Sequence, residues 1–193
     1  MNFSLFRLIT ALILAVFGEQ PLFKSNPLAS MTAYAQDSIF ENKKIVPFVP
    51  SPQEVVDKML DLAGVKSGDL LYDLGSGDGR IVISAAKRGA RAVGFEIDGD
   101  LVIDSQANIQ KAGVRNLAEI RHQDILTVDF SPATVVTMYL LPDVNLKLMP
   151  NLRSQLTPGS RVISHAFDMG DWRPHATVEV LGRNIYLWTI LPK

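Results

Sequence analysis

The residues in this 193-residue chain whose types and spacing could do chemistry gather around one glycine turn, Asp73-Leu74-Gly75-Ser76-Gly77-Asp78-Gly79. Glycine suits such a turn because it accepts positive φ at little cost, and a backbone without Cβ lets a bulky ligand lie against it. Three chemistries use glycine turns of this kind, and spacing separates them. A phosphate-binding P-loop needs Gly-Lys followed by Ser or Thr, and no such run exists here. A dinucleotide fingerprint needs glycine or alanine three residues after its second glycine, and that position is Arg80. The observed pattern is Asp-x-Gly-x-Gly-x-Gly. Asp73 and Asp78 would repel a diphosphate but not a ligand carrying sulfonium and ammonium groups, so charge agrees with spacing.

A lone glycine cluster is often only a tight loop. Two further acids strengthen the reading. Glu96 lies 23 residues after Asp73, where a carboxylate can accept both hydroxyls of a ribose. Asp124, in His122-Gln123-Asp124-Ile125, could meet an adenine amino group. A single acid at a strand end is more often solvated surface, but three at successive strand ends form a constellation.

The elements that must hold these residues alternate along the chain. Ser51 at N-cap, Pro52 at the first helical position and Glu54 completing a capping box predict a helix that Gly64 stops. Strands are predicted over 70–74, 92–97, 117–121, 133–140 and 161–165, and helices over 80–88, 101–112 and 144–156. Two final strands, 177–181 and 185–191, flank Gly182-Arg183-Asn184 and read as an antiparallel hairpin. Regular β–α alternation implies a parallel sheet covered on both faces. The expected fold class is therefore α/β: a Rossmann-like three-layer sandwich whose mostly parallel seven-stranded sheet ends in a C-terminal antiparallel hairpin. In such a sheet the ligand lies beyond the carboxyl ends of the strands.

Composition sets the outer limits. The length allows one domain with a proper core. A net charge of −1 gives no nucleic-acid footprint. The absence of cysteine excludes disulfides and thiolate chemistry, and the three histidines have no metal partners at ligand spacing. Residues 1–35 read as a secretory signal or membrane-anchor segment: Arg7 precedes the apolar run 8–17, and Ala33-Tyr34-Ala35 offers a cleavage site before Gln36. A true start at Met31 is the competing reading. The run is too short to span a bilayer, which takes about 20 apolar residues. Residues 36–50 then form a linker arm, and 51–193 the folded domain.

The segment Leu71-Tyr72-Asp73-Leu74-Gly75-Ser76-Gly77-Asp78-Gly79-Arg80-Ile81-Val82 closely resembles the cofactor motif of class I S-adenosylmethionine-dependent methyltransferases. It is similar to that of small bacterial members and of the mitochondrial lysine methyltransferases acting on the ATP synthase c-ring protein and the adenine nucleotide translocase. The closing hairpin is the ending expected of that class. The resemblance implies S-adenosyl-L-methionine as cofactor, with Asp73, Gly75 and Gly77 around its methionine end, Ser76 and Gly79 completing the turn, Glu96 at the ribose and Asp124 at the adenine.

On the acceptor side, the turn Tyr139-Leu140-Leu141-Pro142 lacks the Asn or Asp, Pro-Pro and aromatic residue of base-amino methyltransferases. It is similar to the corresponding turn of the lysine methyltransferases, which implies that Tyr139 and Pro142 position an amine. Tyr139 could equally be packing at a strand end. His165 and Asp168 lie where they could wall the acceptor pocket, and Asp168 and Asp171 could attract a cation. The alternative is a loop anchored by Phe167 and Trp172 with its acids in water.

The expected function is methyl transfer to a protein lysine. A small-molecule N- or O-methyltransferase is the alternative enzyme, and a non-catalytic adenosine-nucleotide-binding module is the rival from another class. Expected partners are a protein or small-molecule acceptor, a membrane-protein lysine among them, and no nucleic acid. Membrane association through residues 5–17 would keep the domain on the cytoplasmic side, with its cofactor.

Overall fold

The computed structural model describes residues 48–192. In chain order the elements are α1 (Gln53–Leu62), β1 (Leu70–Leu74), α2 (Arg80–Lys87), β2 (Arg91–Glu96), α3 (Gly99–Lys111) and β3 (Ala118–His122). A 3-10 turn (Ile125–Thr127) leads to β4 (Val135–Met138), α4 (Pro142–Gln155) and β5 (Arg161–His165). The hairpin β6 (Ala176–Val180) and β7 (Arg183–Thr189) closes the chain. The seven strands form one sheet in the order β3-β2-β1-β4-β5-β7-β6. β1 to β5 run parallel, and β7 runs antiparallel to both β5 and β6. The expected mostly parallel seven-stranded sheet with its antiparallel ending is the fold observed.

Alternation along the strands builds the two faces. Leu71, Ala92, Ala118, Val135 and Ile163 join the apolar sides of α1, α2 and α3 in one buried cluster. Tyr72, Leu74, Val93, Val136, Met138 and Val162 join Leu148 and Leu152 of α4 and the fully buried Trp188 in the other. With both faces covered, the central strands must be apolar throughout. A polar residue inside one, such as Asp73, therefore needs a reason to be there.

From β1 the chain winds outward to β2 and β3, then returns to β4 on the other side of β1. The connections leaving β1 and β4 part there, which opens the crevice that ligands use in such sheets.

Two local expectations change. Ser51 does not cap α1: the N-cap is Pro52, without a side-chain bond, and the Ser51 hydroxyl bonds His165 instead. A buried long-range partner outcompetes the local cap. The hairpin turn is Leu181-Gly182 rather than 182–184, with φ of 51° and 71°. Two successive positive φ values are those of the type I′ turn that the twist of a tight hairpin demands.

The expected location at a membrane is corrected. Among the described residues no helix is long and apolar enough to cross a bilayer; the longest, α4, has 14 residues. Residues 1–35, on which the signal or anchor reading rested, and the apolar stretch 5–17 lie outside the described residues, as do residues 36–47 of the arm.

The edge of the sheet away from the crevice carries its own polar cluster. Asp69, 8% exposed, pairs with Arg161 at the start of β5 and accepts the Thr134 hydroxyl at 2.8 Å. Arg161 also donates to the Ala63 carbonyl at 2.9 Å. Burial alone would raise the Asp69 pKa, but hydrogen bonds from the Lys66 amide, Thr134 and Arg161 hold it below the ordinary carboxylate range. This stabilisation is present above the unfolded pKa and is lost as pH falls through the depressed folded value. Arg161→Met strands a buried carboxylate and should cost about 3 kcal/mol. Denaturant melts at neutral pH check this, and ligand affinity of the folded fraction should be unchanged, because the cluster sits at the opposite strand ends.

Candidate active site

The glycine turn is built on the end of β2. The Gly75 and Ser76 amides both donate to the Phe95 carbonyl, at 2.9 and 3.0 Å. Glu96, 7% exposed, then braces the turn with its carboxylate. Oε2 accepts the Gly77 amide at 2.8 Å, and Oε1 accepts the Ile97 and Asp98 amides at 2.8 and 3.0 Å. At Gly77 φ is +53°, and a Cβ would run into the Phe48 ring. Beneath the turn, a Cβ on Gly94 would meet the Ser76 side chain and Ile120 Cδ1 at 2.6 Å. A glycine inside a strand signals such a close approach, so Gly94 could have been found from sequence.

Asp73 is 2% exposed, and the Thr137 hydroxyl of β4 donates to it at 2.7 Å. Burial pushes its pKa up to about 7; the Thr137 bond opposes this, and the charges of Glu96 and Asp78 add to it. Asp78 is held below the ordinary range by Arg80, whose guanidinium chelates it at 2.6–3.2 Å and also donates to the Ser51 carbonyl at 2.7 Å. Asp124 accepts the Leu126 amide at 3.0 Å and so caps the 3-10 turn.

One pocket of about 230 Å³ gathers Asp73, Gly75, Ser76, Glu96, Asp124 and Tyr139. Apolar Ile97, Leu101, Ile125 and Leu140 complete much of its wall. Three expected residues stay outside the lining. Gly77 lies beneath Phe48, Gly79 is the N-cap of α2 at φ 80°, and Pro142 starts α4. Three unexpected residues are inside it: Phe48, Val49 and Pro50, read from sequence as the end of a linker arm. Nothing in their spacing marks them, because their role comes from where the arm lies.

At the end of β4 the strand stops at Met138, and Tyr139 lines the pocket. Its ring packs against His165 (centroids 4.0 Å apart) and stacks with Phe167 (6.2 Å). Burial, with Arg183 adding, pushes the His165 pKa down to about 4, so the imidazole is neutral at physiological pH. Ala166 holds a φ of +66° while the Phe167 amide bonds the His165 carbonyl at 2.9 Å. This is a strained γ-turn, of a kind kept only where the surroundings enforce it.

Buried Asn145 of α4 helps to enforce it by donating to the Phe167 and Asp168 carbonyls at 3.3 and 3.2 Å. Ser164 also donates to the Phe167 carbonyl, at 2.6 Å. Phe167 thereby reaches the pocket, whereas Asp168 and Asp171 are exposed and outside its lining. Trp172 anchors the loop beside Trp188.

Residues 73–176 match the family model described as the ANTKMT methyltransferase domain. A protein-lysine N-methyltransferase of Saccharolobus islandicus is 45% identical over 151 residues, covering 75% of this chain and 94% of that protein. The mouse adenine nucleotide translocase lysine N-methyltransferase is 34% identical over 134 residues, covering 69% of this chain and 58% of its own length. A crystal structure from Salinibacter ruber, described as an RNA methyltransferase in complex with S-adenosyl-L-homocysteine, is 56% identical with a TM-score of 0.73, covering 75% of this chain and 95% of that one. The chain belongs to the ANTKMT methyltransferase-domain family, within the class I S-adenosylmethionine-dependent methyltransferases.

Gly94→Ala should push the turn off β2 and cost about 1–3 kcal/mol through overpacking. A lower melting temperature together with weaker cofactor binding is the expected pair of results. For Asp73 the raised pKa gives a definite sign. The stability of the ligand-free protein from this group is complete at low pH and is lost as pH rises through about 7. A cationic ligand beside Asp73 prefers the ionised form, so affinity for S-adenosylmethionine should rise about tenfold from pH 6 to pH 8. Titration calorimetry at both pH values checks this, and Asp73→Asn should flatten the dependence.

Proposed function

We propose that this enzyme transfers the methyl group of S-adenosylmethionine to a lysine amine of a protein. The observation that carries the reading is the joining of two unlike halves in one pocket: a carboxylate-lined crevice at the glycine turn and an apolar, aromatic mouth at Tyr139 and Phe167.

The donor set fits the cofactor. Asp73, Gly75, Ser76 and Gly77 would surround its methionine end, where carboxylates suit its positive charges, with Gly79 shaping the turn. Glu96 would take the ribose. An ionised carboxylate has about four lone-pair sites, and three backbone amides already use three of them. Its free capacity is therefore about one strong ribose contact, on Oε2. Asp124 and the apolar Ile97 and Ile125 would receive the adenine. When bound, the cofactor supplies a methyl group on a cationic sulfur that is open to in-line displacement. The chain's own task is positioning, which can supply up to ~7–11 kcal/mol where near-attack geometry is good. Tyr139, Phe167 and the carbonyls of the turn ending at Pro142 would orient the amine. Its proton can leave to solvent before it enters, so no dedicated base is required.

The Salinibacter relative, described as an RNA methyltransferase, offers RNA as a second acceptor. The pocket's charge favours lysine: Asp73, Asp78, Glu96, Asp98 and Asp124 line it, and Arg80 is the one cation among its described lining residues, already held by Asp78. A phosphate backbone needs the opposite sign, and a lysine side chain meets apolar and acidic surroundings suited to its stem and head.

The test offers the full chain with labelled cofactor a set of lysine-bearing proteins, structured RNAs and small amines. Label on protein lysines that mass spectrometry localises is the expected result; label confined to RNA or small amines would replace this reading. Beside it, Glu96→Ala should weaken cofactor binding at least tenfold, about 1.4 kcal/mol. It should also lower the melting temperature, because three amides lose their acceptor.

A further inference from the structure

Ser51 stands where the entering arm, the cofactor turn and the acceptor end meet. It is 4% exposed, and its two polar groups reach opposite sides of the pocket. The carbonyl accepts from Arg80, which holds Asp78 of the glycine turn. The hydroxyl and His165 Nδ1 are hydrogen-bonded at 2.8 Å, across 114 positions of sequence. His165 is 2% exposed and lies ring-to-ring with Tyr139 at 4.0 Å.

The residues just before Ser51 line the same pocket, with Phe48 resting on Gly77. A helix start alone would not place Ser51 here, since α1 is capped without its side chain. The polar bond is made in a buried setting where an unsatisfied partner is costly. The His165 ring is fixed by it, and the Tyr139 ring rests on His165.

We propose that Ser51 and His165 are positioning residues for methyl transfer: their bond fixes the Tyr139 ring at the acceptor mouth. Neither need touch the reacting atoms. The proposal rests on the acceptor role assigned to Tyr139 above. Ser51→Ala isolates it, because the backbone contact to Arg80 is kept and only the His165 bond is removed. His165→Phe keeps a ring under Tyr139 but cannot bond Ser51, so it should copy Ser51→Ala.

The experiment measures the full chain for cofactor affinity, acceptor kcat and KM, and the 19F spectrum of protein labelled with 3-fluorotyrosine, the Tyr139 line being assigned by Tyr139→Phe. Expected for Ser51→Ala is cofactor Kd within about twofold of the parent, acceptor kcat/KM at least tenfold lower, and a shifted or broadened Tyr139 line. Ser51→Thr should recover most of the activity. In a double-mutant cycle the loss should not add to that of Tyr139→Ala, because both act through one ring. Additive losses, or cofactor affinity falling as far as acceptor turnover, would mark a merely structural contact and overturn the proposal. If the parent methylates no lysine, it is the functional reading that fails. The fluorine line still decides the positioning role, which an unchanged Tyr139 signal in both Ser51→Ala and His165→Phe would rule out.

Discussion

Three backbone amides converge on one buried carboxylate, and the binding half of this protein depends on that arrangement. Glu96 closes β2 by accepting the amides that follow it, Ile97 and Asp98, and reaches across to the Gly77 amide. These donors have no secondary-structure partners at a turn, and burying them unpaired would be costly. A carboxylate at the end of the neighbouring strand satisfies all three and fixes the glycine turn against β2. Gly94, two residues earlier, leaves room beneath for Ser76. Bracing thus takes about three of the four lone-pair sites of the Glu96 carboxylate.

The two edges of the sheet divide the labour. At the amino ends, Asp69, Thr134 and Arg161 tie β1, β4 and β5 together through a paired carboxylate and guanidinium. At the carboxyl ends, the charges are mostly of one sign, burial pushes the Asp73 pKa up to about 7, and Ala166 carries a strained backbone. Stability is gathered at one edge and spent at the other. Acids gathered at one end repel one another, and a positive charge placed among them would lower that cost.

The end of the pocket at Tyr139 follows a different logic. Its wall is aromatic and its polar groups hold geometry: Asn145 and Ser164 grip the loop that presents Phe167, and Ser51 grips His165 against Tyr139. This suits a reaction whose chemistry resides in the cofactor and whose acceptor needs mainly alignment. It also explains why the acids at 168 and 171, conspicuous in sequence, are solvated while the phenylalanine beside them lines the site.

The fold and the crevice at its glycine turn were legible because their signals are local. Strand–helix alternation, the Asp-x-Gly-x-Gly-x-Gly turn and acids at successive strand ends are short-range patterns, and the backbone rules that generate them do not depend on distant residues. By itself the sequence determined the parallel sheet, its closing hairpin, the position of the crevice and the gathering of Asp73, Glu96 and Asp124 around it. The helix cap at Ser51 misled because the same local rule meets a buried competitor 114 residues away. Tertiary structure alone decided that Phe48 to Pro50 belong to the pocket, that Glu96 is largely engaged by backbone, and that His165 packs against Tyr139 outside the pocket lining. Each of these is a contact between segments far apart in the chain, and no spacing within a single segment encodes which distant surface will bury it.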